Sequence, residues 1–133
     1  MKKMNKKGFT LIELLAVIVV LAIIMVIATQ QVNKTIKKSR GDSFYDSVQM
    51  IEKNAKMLCA QDDSSTVSIA ELKEMSDISD DNYTLAIGTD GSTFTVTGKG
   101  KFANMTVPSS TKSTIKIDGT TATVTLTDCT IAE

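Results

Sequence analysis

The chain has no histidine and no tryptophan, a single proline and only two cysteines. Without histidine it lacks the side chain most often used as a general base near neutral pH. No Cys/His cluster has the spacing of a zinc site. None of the seven glycines belongs to a phosphate-cradling loop, and no nucleophile stands beside a base. The sequence therefore gives no reason to expect an enzyme, a cofactor or a metal centre. Its 133 residues leave room for one modest domain rather than two.

Net charge is also lacking: 15 basic residues balance 15 acidic ones. The balance hides a split, because Lys2, Lys3, Lys6 and Lys7 all precede Phe9. Without the first eight residues the basic count drops by four to 11, a net charge of about −4. A free nucleic-acid-binding module is normally basic, so bulk charge argues against that role.

A long apolar run is present. Residues 9–28 contain two polar side chains, Thr10 and Glu13. About 20 residues of helix rise roughly 30 Å, enough to cross the hydrocarbon core of a bilayer. The remainder must form a small soluble domain with a thin core. One helix is expected over residues 9–60, with Gly41 as its only glycine and no proline. It would rise roughly 78 Å at 1.5 Å per residue. Its first part is apolar all round, as a membrane-buried helix is. In its second part Phe44, Val48, Ile51, Ala55 and Leu58 form one stripe, while Asp46, Glu52, Lys53 and Lys56 are expected on the solvent face. Gly41 is expected to weaken the helix by about 1 kcal/mol relative to alanine and to allow a bend.

Past a polar break, Ser68 and Glu71 have the spacing of a capping box on a short second helix. From Tyr83 the period changes to two: Leu85 and Ile87, then Phe94 and Val96, then Ile115 and Ile117, then Ala122, Val124 and Leu126. Asp90-Gly91 and Asp118-Gly119 each separate two such runs, a hairpin signal. Residues 102–107 read as an irregular strand before Pro108. The expected fold class is α+β: a long N-terminal helix, apolar and then amphipathic, packed on a small antiparallel sheet of four or five strands.

Glu13 decides how the N-terminus is read. A charge at bilayer depth costs roughly 2.5–3.5 kcal/mol on insertion scales and usually has a function and a partner. A secretory signal peptide with a cleavage site at Val26-Ile27-Ala28 fits the basic start, but the run is long for one. A plain single-pass anchor fits the length and the positive inner flank. Neither accounts for Glu13. The stretch Lys6-Lys7-Gly8-Phe9-Thr10-Leu11-Ile12-Glu13, followed by the apolar run, resembles the processing signature of type IV pilins and pseudopilins. The strong likeness covers residues 6 to about 30; beyond that only the architecture is similar.

The resemblance implies a leader at 1–8, a membrane and filament-core segment at 9–28, an amphipathic continuation at 29–60 and a globular domain at 61–133. It implies cleavage after Gly8 by a prepilin peptidase, methylation of Phe9, and pairing of Glu13 with the Phe9 amine of a neighbouring subunit. The implied partners are other copies of the chain, the peptidase, the assembly platform with its ATPase, and the membrane before assembly. The implied product is an extracellular pilus used in adhesion or surface motility. The short lysine-rich leader looks like that of Gram-positive members. A pseudopilin of a DNA-uptake or secretion system shares the same N-terminus, and an anchored surface module that never polymerises is the alternative of another class. Ala22 and Gln30 stand where family members frequently carry glycine and proline, so local melting of the membrane half is not expected.

Several further features carry less. Cys59 and Cys129 are expected to form a disulfide that staples the last strand to the helix, closing a loop of about 70 residues worth roughly 4 kcal/mol in the chain-entropy model, against the plainer reading of two independent buried thiols. Arg40-Gly41-Asp42 spells an adhesion tripeptide but falls on a helix. Lys34, Lys37, Lys38 and Arg40 form a basic cluster suited to acids of adjacent subunits, anionic headgroups or nucleic acid. Asp80, Asp81 and Asn82 lack a calcium-loop spacing and read as a turn. Asn33, Asn82 and Asn104 each open an Asn-x-Thr triplet, which carries little weight in a bacterial setting.

Overall fold

The computed structural model of the chain describes residues 10–61, 63 and 65–133. Helix α1 spans Leu11–Gln61. Strand β1 (Thr66–Ser68) leads into helix α2 (Ile69–Met75), followed by β2 (Tyr83–Ile87), β3 (Thr93–Gly98), a 3-10 turn at Gly100–Phe102, β4 (Ile115–Asp118), β5 (Thr121–Thr125) and β6 (Thr130–Ala132). Two compact units divide the chain, one ending at Thr35 and the other running Ile36–Glu133.

In the second unit four strands form an antiparallel sheet in the order β2-β3-β5-β4. Register follows the alternation of apolar residues. Leu85 faces Val96, Phe94 faces Val124, and Ile117 faces Ala122 across the ladders. One face of the sheet is therefore apolar, and threonines of β3 and β5 fill the other. The stripe of α1 covers the apolar face: Phe44, Val48, Ile51 and Ala55 are buried, with Leu58 packed at the margin. Each large side chain so buried contributes roughly 1.5–3 kcal/mol. Phe44 also meets the rings of Tyr83 and Phe102, at centroid distances of 6.1 and 5.5 Å.

The β4–β5 hairpin turns on two residues, Gly119 and Thr120, since Asp118 pairs with Thr121. Gly119 has φ +59°. A turn of this size that needs a positive φ at its first loop residue favours glycine there. In the β2–β3 loop Asp90 accepts hydrogen bonds from the backbone N–H groups of Ser92 and Thr93 and from the Thr93 hydroxyl.

Several expectations need correction. Residues 102–107 are not a strand: Phe102 ends a 3-10 turn, and the Thr106 N–H donates to the Lys37 carbonyl of α1 at 3.0 Å rather than to a ladder. Gly41 also has a packing role that the sequence did not suggest. α1 runs through it, and it is buried where the chain at Thr106 passes; a Cβ there would lie 1.8 Å from the Thr106 carbonyl oxygen. Ser68 occupies the N-cap of α2, but its side chain makes no capping bond. A second, parallel sheet of β1 and β6 was not expected; three residues are too few for a period to show.

Candidate assembly site

Residues 11–27 of α1 contain no glycine or proline, so nothing interrupts a helix whose backbone bonds are all internal. Their large apolar side chains are exposed, from 50% at Val19 to 86% at Leu11. The helix is long and apolar enough to cross a membrane, and none of its most apolar window is buried. Such an unpartnered surface marks a membrane or protein contact.

Glu13 lies in the first turn of α1, where the positive end of the helix dipole favours an acid. Its backbone N–H donates to the Thr10 hydroxyl at 3.3 Å, and the Leu14 N–H donates to the Thr10 carbonyl at 3.3 Å. Thr10 thus acts as the cap of α1. This role was not among the expectations, although Thr10-Leu11-Ile12-Glu13 has the S/T-x-x-E spacing of a capping box. The side chain of Glu13 is exposed and makes no ion pair among the described residues. Gly8 and Phe9, the other expected site residues, lie outside the described residues.

Cys59 and Cys129 form a disulfide with a Cα–Cα distance of 6.0 Å. It joins the last turns of α1 to the residue before β6. Three further bonds hold the same corner. The Thr130 N–H donates to the Ser65 carbonyl (2.9 Å), the Ile131 N–H to the Gly91 carbonyl (2.7 Å), and the Thr66 and Thr130 hydroxyls share a 3.2 Å bond.

Glu52 departs from its expected place on the solvent face: it is 1% exposed. Oε1 accepts from the Lys56 ammonium at 2.6 Å and from the Thr114 hydroxyl at 2.8 Å. The segment leading into β4 packs over this flank of α1, where the Lys112 N–H also donates to the Tyr45 hydroxyl. Burial raises the Glu52 pKa. The hydrogen bonds from Lys56 and Thr114, with the charges of Lys56 and Lys112, outweigh burial and hold it below the ordinary value.

The remaining candidates do not converge on a site. Arg40 and Asp42 are exposed on α1 with Gly41 buried between them, so the tripeptide is not a loop tip. Lys34, Lys37, Lys38 and Arg40 are all exposed. Asp80 and Asp81 belong to a turn, where Asp80 sits 3.5 Å from Lys73.

Residues 3–29 match the prokaryotic N-terminal methylation motif, the signature shared by type IV pilins and pseudopilins. No curated protein and no solved structure matches the chain in the comparisons made with each.

Proposed function

We propose that this chain is a structural subunit of a type IV pilus, processed at its N-terminus and polymerised through α1. The observation that carries the reading is the methylation motif at residues 3–29 running directly into an exposed apolar helix with one acid in its first turn. The lysines of residues 1–8 hold the precursor's start on the cytoplasmic side. A prepilin peptidase cuts after Gly8 and methylates Phe9. The cut frees an amine four residues before Glu13.

The carboxylate of one subunit then meets the amine of its neighbour. In a low-dielectric helix bundle an ion pair is tolerated where a lone charge is not. The Thr10 hydroxyl takes the Glu13 N–H and leaves the carboxylate available for that pairing. Apolar segments leave the lipid together and form the filament core, and the sheet domain faces outward. The finished pilus serves adhesion or surface motility.

The motif is common to pseudopilins, so a short fibre of a DNA-uptake or secretion machine is the second reading. Shearing cells and blotting the released material separates the two. Long sheared fibres rich in this chain are expected. Short fibres confined to the wall would favour the pseudopilin, and a chain never found in fibres would reject both.

A further inference from the structure

We propose that Lys37, Lys38 and Arg40 bind phosphates of anionic lipid headgroups on the outer face of the membrane before assembly. The inference rests on the reading that the apolar part of α1 enters a bilayer. The apolar run from Phe9 to Ala28 rises roughly 30 Å as a helix, the thickness of the hydrocarbon core, and no charged residue occurs between Glu13 and Lys34. By length alone, Lys34 to Arg40 follow the end of that run by roughly 9–18 Å of helix, which places them at and just beyond the headgroup layer, within about a Debye length (~10 Å) of its phosphates.

The cluster itself has the chemistry for this. Lys37, Lys38 and Arg40 are exposed, and none makes an ion pair among the described residues. Asp42 is the first acid after Glu13, and Asp46 follows a turn later, so the cationic stretch ends as the helix moves away from the lipid. Its position also runs against the usual bias of cations to the cytoplasmic side. Once the leader lysines are removed, these cations and Lys34 are the positive charge flanking the span. Anionic phosphates on the outer face offset that inversion, and bidentate Arg40 adds directionality to the lysine contacts. The binding would keep the second unit at the membrane surface until a neighbour's helix replaces the lipid.

The test uses the full-length chain reconstituted in vesicles of equimolar phosphatidylcholine and phosphatidylglycerol. Native mass spectrometry then counts each lipid retained per chain. The native chain is expected to retain phosphatidylglycerol preferentially. The variant K37Q/K38Q/R40Q should lose that preference by at least about tenfold, since each cation near an anionic surface contributes a severalfold factor. K53Q/K99Q/K116Q removes the same charge from exposed positions elsewhere and should keep the preference. Equal retention of both lipids by the native chain overturns the proposal, as does an equal loss in both variants. A patch variant that loses only duplex-DNA binding, with its lipid preference intact, assigns the cluster to nucleic acid and also overturns it. Extraction with alkaline carbonate is read in parallel: a chain released from the vesicles fails the membrane reading itself, whereas a retained chain without lipid preference fails only the headgroup proposal.

Discussion

Two carboxylates on one helix meet opposite surroundings. Glu13 is exposed in the first turn, and Glu52 is enclosed between Lys56, Thr114 and the sheet. Glu52 shows why a helical wheel misplaces some residues. Its angle puts it on the flank of the apolar stripe, and whether a flank is wet depends on which distant segment lies over it. Here that segment is the chain before β4, sixty residues on and invisible to periodicity. The Glu-Lys spacing at i, i+4 was legible, and it supports the helix. Replacing Glu52 with Gln keeps the shape but removes the charge that Lys56 and Thr114 bind. Thermal unfolding should show a loss of about 2 kcal/mol, a Tm lower by roughly 10 °C. The folded pKa is depressed, so Glu52's charge stabilises the native chain above its ordinary value of 4.5 and this contribution is lost as pH falls through the lower folded value. The native protein should therefore lose stability below about pH 4.5 more steeply than Glu52→Gln; parallel Tm-against-pH curves would contradict the assignment.

At the scale of elements, the strands with a period of two could be read directly, because one-sided burial imposes alternation over four to six residues. β1 and β6 could not, since three residues fix no period and their pairing is parallel and far apart in sequence. The segment after Phe102 carries apolar residues but spends a backbone donor on a helix carbonyl. Gly41 tests this difference sharply. As a helix-weakening glycine, its replacement by alanine should stabilise by about 1 kcal/mol. With the Thr106 carbonyl oxygen 1.8 Å from where the Cβ would lie, alanine must instead displace that segment and break the Thr106–Lys37 bond. Gly41→Ala is expected to lower Tm, and a raised Tm would show that the close approach is unimportant. The disulfide acts on the far end of the same helix. Cys59→Ser with Cys129→Ser should cost about 2–4 kcal/mol. Hydrogen exchange should rise first at Thr130–Ala132 and Thr66–Ser68, the three-residue ladder that the bridge clips to the end of α1. Uniform exchange across the sheet would mean that the bridge supports the whole unit rather than its corner.

For the whole molecule, the proposed function couples an N-terminal cut to polymerisation, and the long motif at the chain start was more legible than anything in the sheet domain. Intact mass should give a mature chain that begins at methylated Phe9, and a bulky residue at Gly8 should leave the precursor uncut. The role of Glu13 then has two physical readings. It can pair its charge with a neighbour's amine, or it can serve the helix start that Thr10 caps. Glu13→Gln separates them. Glutamine suits the third position of a capping box as glutamate does, so the helix start survives while the charge is lost. Glu13→Ala removes both. Cleavage should proceed in both variants, because the cut site is unchanged, and insertion should improve as a costly charge disappears. If charge pairing sets the register of each incoming subunit, both variants should yield few sheared filaments. Co-expression with the native chain should restore partial incorporation, since a neighbour's carboxylate still meets the variant's amine. Normal filaments from Glu13→Gln with none from Glu13→Ala would assign Glu13 to the helix start alone. Normal filaments from both would leave the carboxylate without a part in assembly.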